Sequence, residues 1–392
     1  VLTQSLANPP SPSSLDTANS ARTSAAASAD GDLSVGAASH TAANKLDSWC
    51  SQLNDGGRSA VEVLSLVEAF EMCGKLEDKL FDAASAALSA CAKRLDTPEV
   101  GRQGNFSFRP ELLLPVERLR SSEAPTEPKV LQRLPGLYVL WKPPGWSASV
   151  ASDEELLPTR GRSQALRDWL REHFGHHPIV QDAGVTHGLV HRLDSQTSGA
   201  ILWAPSYSGL FAARLQFAAR RVCKEYICLC QGHIPVGKLP FRIEAPLLER
   251  GGGELGPSRS EVSAMGRQAI TEVLDAAHLR CPDGKPLSLA KVRLHTGRTH
   301  QIRAHMGYEG YPLVGDPAYG GPSPNWCPRQ WLHAWHLRIN VPAEGLLDVE
   351  VPVPSDLRTV LQKLTAEDAT ATEKLQEWIL SGDASCPSDQ GY

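Results

Sequence analysis

The chain has 392 residues, 41% of them hydrophobic, so it can bury a sizeable core in one large domain or two ordinary ones and is not wholly disordered. No run approaches the ~18 uninterrupted apolar residues that a membrane helix requires, which predicts a soluble protein without a membrane partner. The nine cysteines include no CxxC pair, which argues against a zinc site and a disulfide framework and favours a reducing compartment.

The net charge of -5 is distributed unevenly along the chain. Residues 186–250 contain eight Lys or Arg against four Asp or Glu, and residues 286–340 contain six against two, so each segment carries +4. From residue 341 onward, three basic residues face ten acidic ones, a balance of -7. A locally positive surface that binds a polyanion is therefore compatible with an acidic chain, and scattered solvated charges are the alternative.

Residues 1–44 are rich in Ser, Ala, Pro, Thr and Asn and contain one arginine and three acidic residues. Such a segment cannot bury enough apolar surface to offset its chain entropy, which predicts a disordered or leader-like segment. The composition partly matches an organelle-targeting leader, although such leaders are usually rich in arginine and free of acids. We therefore expect a mitochondrial or plastid location ahead of the cytoplasm.

Apolar residues recur at helical spacing over Ser59–Leu95, on both sides of Gly74. This pattern predicts a small helical hairpin within residues 45–97. Because one hairpin buries little surface by itself, it either packs on the main domain, which we favour, or represents one unit of a helical-repeat module like those of organellar RNA-binding proteins.

Residues 98–130 hold five prolines among charged residues, which predicts a linker. Beyond it, helical spacing predicts helices at Tyr207–Ala219 and Arg298–Met306. Apolar or alternating stretches predict strands at Leu137–Trp141, Lys224–Cys230, Ala269–Leu274, Leu289–His295 and Leu332–Asn340. Few helices among many strands indicate an α+β fold rather than a repeating βαβ pattern. The last segment, residues 343–392, is acidic, and its apolar spacing predicts one amphipathic helix over Ser355–Leu380, with Ser355 as the N-cap, and a tail.

One aspartate occupies an unusual position in the stretch LVHRLDSQTSGAILWA, Leu189–Ala204. Asp194 stands two residues after Arg192 and directly before a Ser/Thr/Gly turn that leads into an apolar strand. Aspartates at such positions are commonly turn formers or caps. The alternative is a nucleophile or base held by a rigid element, and the stretch alone does not decide between the two.

Five motifs follow one another in a fixed order, which is more specific than any one of them. They are KPPGW, HRLDSQTSGAILWA, RRVCKEYICLCQG, VRLHTGRTHQIRAHMGYEGYPLVGDPAYGG and LHAW. Together they resemble the RluA family of RNA pseudouridine synthases over roughly Leu134–Pro342, somewhat over half the chain. The resemblance implies a catalytic domain at residues 131–342 with the pseudouridine synthase fold, a mixed and mostly antiparallel sheet with flanking helices.

The resemblance also implies the reaction. The family isomerises uridine in structured RNA, ribosomal or transfer RNA in the usual cases, without a metal or other cofactor, and we expect a monomer. The essential aspartate of the family falls on Asp194, which either attacks C1′ of the ribose or removes a proton from C2′. Both routes need an ionised and well-aimed carboxylate, and both stay open.

Other site residues follow from the same motifs. Arg192 resembles the arginine that fills the gap left by the flipped nucleotide, with a phosphate contact or a surface ion pair as the alternative. Tyr226 matches the tyrosine that stacks on the base, although a strand tyrosine is more often a core residue. Arg303 best matches the cationic partner of the aspartate, and Arg298 is the second candidate for that place or a phosphate contact.

Four more residues are predicted to bind substrate: His191, Lys142, Leu313 and Leu332. Lys142 could instead end its strand in solvent. His295, His300 and His305 invite a metal site, but no convergent ligands accompany them, so we expect no metal.

Two other functions compete with an active synthase. One is a catalytically inactive RNA-binding or RNA-folding factor on the same fold, which would have no need to keep Asp194 in a desolvated place. The other is a hydrolase that uses Asp194 and His191, and it lacks any accompanying oxyanion or metal apparatus.

Overall fold

The computed structural model describes residues 59–97, 114–117, 119, 125–148, 164–251, 258–342 and 344–380. The predicted disordered or leader-like segment, residues 1–44, lies outside these ranges, and so does most of the predicted linker. Within the described parts of the chain, no helix combines the length and the apolar character that crossing a bilayer requires.

Helices flank the sheet and precede and follow it in the chain. They are α1 (Ala60–Met72), α2 (Asp78–Asp96), α3 (Leu166–Phe174), α4 (Tyr207–Ala218), α5 (Gln301–Tyr308), α6 (Ser355–Leu361) and α7 (Ala369–Leu380). The strands are β1 (Lys129–Leu134), β2 (Leu137–Lys142), β3 (Trp146–Ser147), β4 (Gln164–Ala165), β5 (Ser198–Trp203), β6 (Val222–Gln231), β7 (Phe241–Ile243), β8 (Leu247–Arg250), β9 (Arg259–Val262), β10 (Thr271–Arg280), β11 (Pro286–Leu294), β12 (Leu332–Val341), β13 (Gly345–Glu350) and β14 (Thr365–Ala366).

One large sheet organises the described residues. Its strand order is β1-β2-β5-β12-β6-β11-β10-β14, with β13 beside β12 and β7 beside β10. Only β5 and β12 run parallel in this sheet, and its other neighbouring strands are antiparallel. The predicted α+β class with a mixed, mostly antiparallel sheet is therefore confirmed. The sheet extends from Lys129 to Ala366, past both ends of the predicted catalytic domain, and the domain boundaries stay a prediction.

The centre of the sheet is covered on both faces. Every residue of β2 and β5 is buried, which explains why these strands are continuous apolar runs rather than alternating ones. A second layer of core lies over β6, β10 and β11 and includes Trp331, Trp335 and Trp378. The C-terminal segment thus belongs to the core of the sheet.

The prediction of one helix over Ser355–Leu380 is wrong. The structure has two helices, α6 and α7, and the short strand β14 between them pairs with β10. Ser355 is the first helical residue and follows the cap residue Pro354. Leu357 and Trp378 are buried against the same core, so tertiary packing overrides the helical spacing that joins them in sequence.

The predicted N-terminal hairpin is confirmed and packs on the main domain. Ser59 and Glu62 form a capping box at the start of α1, and Gly74, at a φ of 63°, ends the first helix. At the far end of α2, the carboxylate of Asp96 accepts hydrogen bonds from the first backbone N–H groups of α4, those of Tyr207 and Ser208, both at 3.0 Å. These contacts favour docking over an independent repeat unit.

Candidate active site

The turn that carries Asp194 is held by buried cations. The backbone oxygen of Asp194 accepts from the N–H of Thr197 at 3.0 Å, which closes the turn ahead of β5. The ammonium of Lys142 donates to the Ser195 oxygen at 3.0 Å, and the guanidinium of Arg329 donates to the Gln196 oxygen at 2.8 Å. Because both cations are buried, the turn has little freedom to move and the carboxylate projects from a fixed base.

Asp194 belongs to a chain of charges with Arg303 and Asp316. Arg303, on α5, donates to Asp194 Oδ2 at 3.3 Å and to the two carboxylate oxygens of Asp316 at 2.8 and 2.9 Å. The Tyr319 ring lies beneath the guanidinium, with 4.8 Å between the guanidinium carbon and the ring centroid. Burial disfavours the charge of Arg303, but the hydrogen bonds with Asp316 and the negative charges of Asp194 and Asp316 outweigh it and raise its pKa.

The backbone at the start of α5 places a further side chain near the carboxylate. The predicted helix over Arg298–Met306 begins only at Gln301, because His300 has a left-handed backbone with a φ of 52°. This conformation brings His300 Nε2 to 4.0 Å from Asp194 Oδ1. His300 and Arg303 therefore approach different oxygens of the same carboxylate.

Tyr226 lies on β6, in the wall of the same cleft. Its side chain is almost completely buried, and burial together with the negative charge of Asp194 raises the pKa of its hydroxyl. The phenol is therefore neutral at physiological pH, a flat face with a polar tip beside the carboxylate.

A cleft of about 480 Å³ brings most of the predicted site residues together. Its lining includes seven of them: Asp194, Tyr226, Arg303, Arg192, His191, Arg298 and Leu332. Arg214, Arg220 and Lys224 add further cationic side chains. A cleft of this volume is within the range that proteins use for ligands the size of a nucleotide, and the surplus of cations favours an anionic ligand.

Two predicted substrate contacts are corrected. Lys142 is fully buried, and its ammonium donates to the backbone oxygens of Pro143, Trp146 and Ser195 at 2.8 to 3.0 Å. Leu313 is also fully buried, in a β-bridge with Cys230, and does not line the cleft. Lys142 is close to Asp194 in the fold, but it holds the turn from behind instead of facing a ligand.

His191 lines the cleft as a neutral ring. Burial, and next the positive charge of Lys224, lower its pKa to about 3. Its Nε2 accepts a hydrogen bond from the N–H of Leu202 at 3.1 Å, and the ring stacks on Phe217. A nitrogen already bonded to the backbone is a poor proton acceptor, which weakens the hydrolase interpretation.

Arg298 occupies the cleft wall but is engaged by the N-terminal hairpin. Its guanidinium donates to the carboxylate of Glu68 at 2.8 Å and to the backbone oxygen of Gln268 at 3.0 Å, and the side chain is only 13% exposed. Arg303, not Arg298, contacts Asp194. The predicted phosphate contact of Arg298 would therefore require competition with Glu68.

Several side chains at the site escape sequence reasoning. Asp316 looks like a turn residue in GDPAYGG, yet it is the second carboxylate on Arg303. In the sequence, Lys224 is an ordinary charged residue of a predicted strand. In the structure, burial and the charges of Arg298 and Arg220 lower its pKa to about 8. Arg329 and Glu68 have no local signal at all, because the site residues that they bind, Gln196 and Arg298, are more than 100 residues away in sequence.

The three histidines considered as metal ligands have separate partners. His295 contacts Glu272, His300 contacts the Tyr319 hydroxyl, and His305 contacts Thr271. Within the described residues, the clusters with the spacing of metal ligands are Cys223 with Glu225 and His336, and His233 with His278 and Glu367. Neither cluster includes Asp194 or lines the cleft.

Comparison with known proteins finds similarity to RNA pseudouridine synthases. A family model described as RNA pseudouridylate synthase matches residues 142–308. Ribosomal large subunit pseudouridine synthase D of Nitrosomonas europaea is 35% identical over 187 residues, 45% of this chain and 51% of the relative. The protein of that name from Pseudomonas aeruginosa is 34% identical over 193 residues, 45% of this chain and 56% of the relative.

The chain spans about half the length of these curated relatives. Among solved structures, Human RNA Pseudouridylate Synthase Domain Containing 1 is 23% identical and aligns with a TM-score of 0.46 over 67% of this chain and 97% of its own.

Proposed function

Residues 142–308 of this chain belong to the RNA pseudouridylate synthase family, and from that premise we propose that the protein isomerises uridine to pseudouridine in RNA. The predicted resemblance to the RluA family is confirmed by this match and by the names of the relatives. The observation that carries the proposal is the arrangement around Asp194, whose carboxylate is held by Arg303 beside Tyr226 inside a cationic cleft.

Asp194 is the reacting group in this proposal. In the isomerisation, the bond between C1′ and N1 breaks, the uracil turns, and C1′ joins C5, while C5 loses a proton and N1 gains one. The carboxylate acts at C1′ or at the C2′ proton, and either route requires it to be aimed and immobile. Lys142, Arg329 and Arg303 together supply that immobility.

In this proposal, Tyr226 contacts the flipped base and Arg192 occupies the space that the base leaves. The flipped uracil packs against Tyr226 where its ring lines the cleft wall. Arg192 is exposed at the cleft, where a guanidinium can stack and donate hydrogen bonds in the space vacated by the nucleotide. Unstacking a base costs about a few kcal/mol, which such contacts offset.

Ribosomal RNA is the proposed substrate class, because the relatives are named as synthases of the ribosomal large subunit. Transfer RNA, the other class that the sequence resemblance implies, is the comparison substrate in the test. Both present uridines in loops, where bases are accessible without opening a duplex.

The test is nucleoside analysis of ribosomal and transfer RNA lacking modifications after incubation with the purified full chain. We expect pseudouridine with the wild type and none with Asp194→Asn, which keeps the size of the side chain and removes its charge. Asp348→Asn, at an exposed position on β13, is the matched control and should retain full activity.

RNA binding measured on the same proteins separates the alternatives. An active synthase predicts that Asp194→Asn still binds RNA while turnover is lost. If the wild type forms no pseudouridine on either RNA but binds both, the inactive RNA-binding factor is the better description.

A further inference from the structure

We infer that helix α1 of the N-terminal hairpin forms one wall of the RNA-binding cleft and contacts an unpaired nucleotide next to the target uridine. This inference rests on the proposed function. It extends the substrate site beyond residues 142–308, because α1 lies before the first residue of the family match.

The side chains of α1 divide between two faces. Val63 and Val67 are fully buried, whereas Val61, Leu64, Ser65 and Glu68 line the cleft. Val61 lies three and four residues before Leu64 and Ser65, and Glu68 lies four and three residues after them, which places the set on one side of the helix. One face of α1 therefore packs against the protein, and the other lines the cleft that contains Asp194.

Docking of the hairpin fixes this wall relative to the catalytic residues. Glu68 binds Arg298, which is itself anchored to the backbone of Gln268. At the opposite end, Asp96 binds the N-terminus of α4. Between them, the guanidinium of Arg221 lies 4.0 Å from the ring centroid of Phe81. Three separated contacts hold a helical pair far more firmly than a single one.

The chemistry of the two walls differs and indicates how RNA lies between them. Arg192, Arg220 and Lys224 line the cleft on the catalytic domain, where they attract phosphates. The α1 wall presents the apolar side chains of Val61 and Leu64, and the carboxylate of Glu68 on that wall is paired with Arg298. None of the α1 side chains that line the cleft is a cation that could bind phosphate. A single strand fits this asymmetry when its backbone follows the cations and a base rests on the apolar wall.

The size of the cleft restricts the ligand further. A volume of about 480 Å³ holds one or two nucleotides but not a continuous duplex. Val61, at the start of α1, lines the cleft and is 71% exposed, so a ligand in the cleft can reach its side chain. The occupant of this wall is therefore a base or ribose from a loop, beside the flipped uridine.

Substitutions of Val61 test the wall directly. Val61→Asp places a negative charge against RNA, and Val61→Lys places a positive one. Val61 is exposed, so neither charge is buried and the fold should persist. In the first turn of α1 the acid of Val61→Asp also favours the helix. Met72, exposed at the other end of the same helix and outside the cleft, provides the matched controls Met72→Asp and Met72→Lys.

The measurement is the Kd of the full chain carrying Asp194→Asn for a fluorescein-labelled RNA stem-loop with uridines in the loop. We expect Val61→Asp to weaken binding by about fivefold and Val61→Lys to strengthen it by about twofold, with little change from either Met72 variant. Thermal unfolding of each variant checks that the hairpin is intact.

Equal Kd values for Val61→Asp, Val61→Lys and the parent overturn the inference. So do equal effects at Val61 and Met72, since these indicate long-range charge rather than contact. Pseudouridine formation by the wild type is scored separately, so an active enzyme with an insensitive Val61 refutes the wall and leaves the proposed function standing. An inactive wild type refutes the proposed function instead.

Discussion

At the scale of single residues, the site depends on how one carboxylate is aimed. Asp194 accepts a hydrogen bond from Arg303, and Arg303 also donates to both carboxylate oxygens of Asp316. Asp316 is 2% exposed, so its charge is available to Arg303 and not to solvent. The bonds between Asp316 and Arg303 hold the guanidinium in place, and the guanidinium in turn holds the carboxylate of Asp194.

Arg303→Lys should lower the single-turnover rate constant by about 100-fold, because an ammonium cannot bind two carboxylates in the forked geometry of a guanidinium. Asp316→Asn should show a similar loss, and the double variant should be no worse than either single one. Arg338→Lys, exposed on β12, serves as the control. Rapid-quench measurement with saturating RNA gives the single-turnover rate constant of each variant. A wild-type rate constant for Arg303→Lys would show that Arg303 does not position Asp194.

Lys224 predicts a pH dependence of RNA binding. Its pKa is lowered to about 8, mainly by burial, so the ammonium is protonated below that pH and loses its charge as the pH rises through it. RNA affinity should therefore fall by about threefold between pH 7 and pH 9. Lys224→Gln should bind more weakly at pH 7 and show a flatter profile, whereas exposed Lys238→Gln should follow the wild type. If RNA affinity depends on pH in Lys224→Gln as it does in the wild type, the group that titrates is not Lys224.

At the scale of secondary-structure elements, turns and strand ends determine where side chains meet. The Asp194 turn lies between β5 and the turn that follows β2, and Lys142 joins the two turns through its bonds to Ser195 and Pro143. The sequence predicts that Lys142 of the KPPGW motif contacts substrate or ends its strand in solvent, whereas the side chain is fully buried. Lys142 lies next to the turn that carries Asp194, but burial sets the direction of its side chain.

Lys142→Met should lower the free energy of unfolding by about 3 kcal/mol, since it leaves three buried carbonyl oxygens without their donor. Activity should fall as well, because the turn that carries Asp194 loosens. Arg192→Ala should instead weaken RNA binding with no loss of stability. Urea unfolding of both variants, with Lys238→Met as the control, checks this contrast. A stable Lys142→Met protein with a raised Kd for RNA would restore the predicted substrate contact.

At the scale of the whole molecule, segments at both ends of the described chain support the site. The C-terminal helix α6 carries Asp356, which binds Arg329, and Arg329 holds Gln196 beside Asp194. The N-terminal hairpin contributes one side of the cleft. The family model matches residues 142–308, so the matched segment and the elements that support the site have different extents in the chain.

Trp378→Ala should destabilise the protein by about 4 kcal/mol, because it leaves a cavity in the core over β6, β10 and β11. The Trp378 ring is 2% exposed and lies 5.1 Å from the ammonium of Lys291. Leu346→Ala, at an exposed position of β13, should change stability little. Calorimetric melting of both variants measures the difference, and equal melting temperatures would contradict a role of Trp378 in stabilising the core.

The sequence by itself determined the class of fold and the hairpin, because these depend on local periodicity and on motifs whose order is visible in the chain. The catalytic roles of Asp194, Tyr226 and Arg303 stay predictions, and the structure places all three side chains at one cleft. The organelle location and the oligomeric state stay predictions. Only the tertiary structure decided that Arg303 rather than Arg298 contacts Asp194, that Lys142 and Leu313 are buried, and that Glu68 binds Arg298. The reason is physical: side-chain direction and pairing across more than 100 residues depend on how strands and helices pack, which spacing along the chain does not encode.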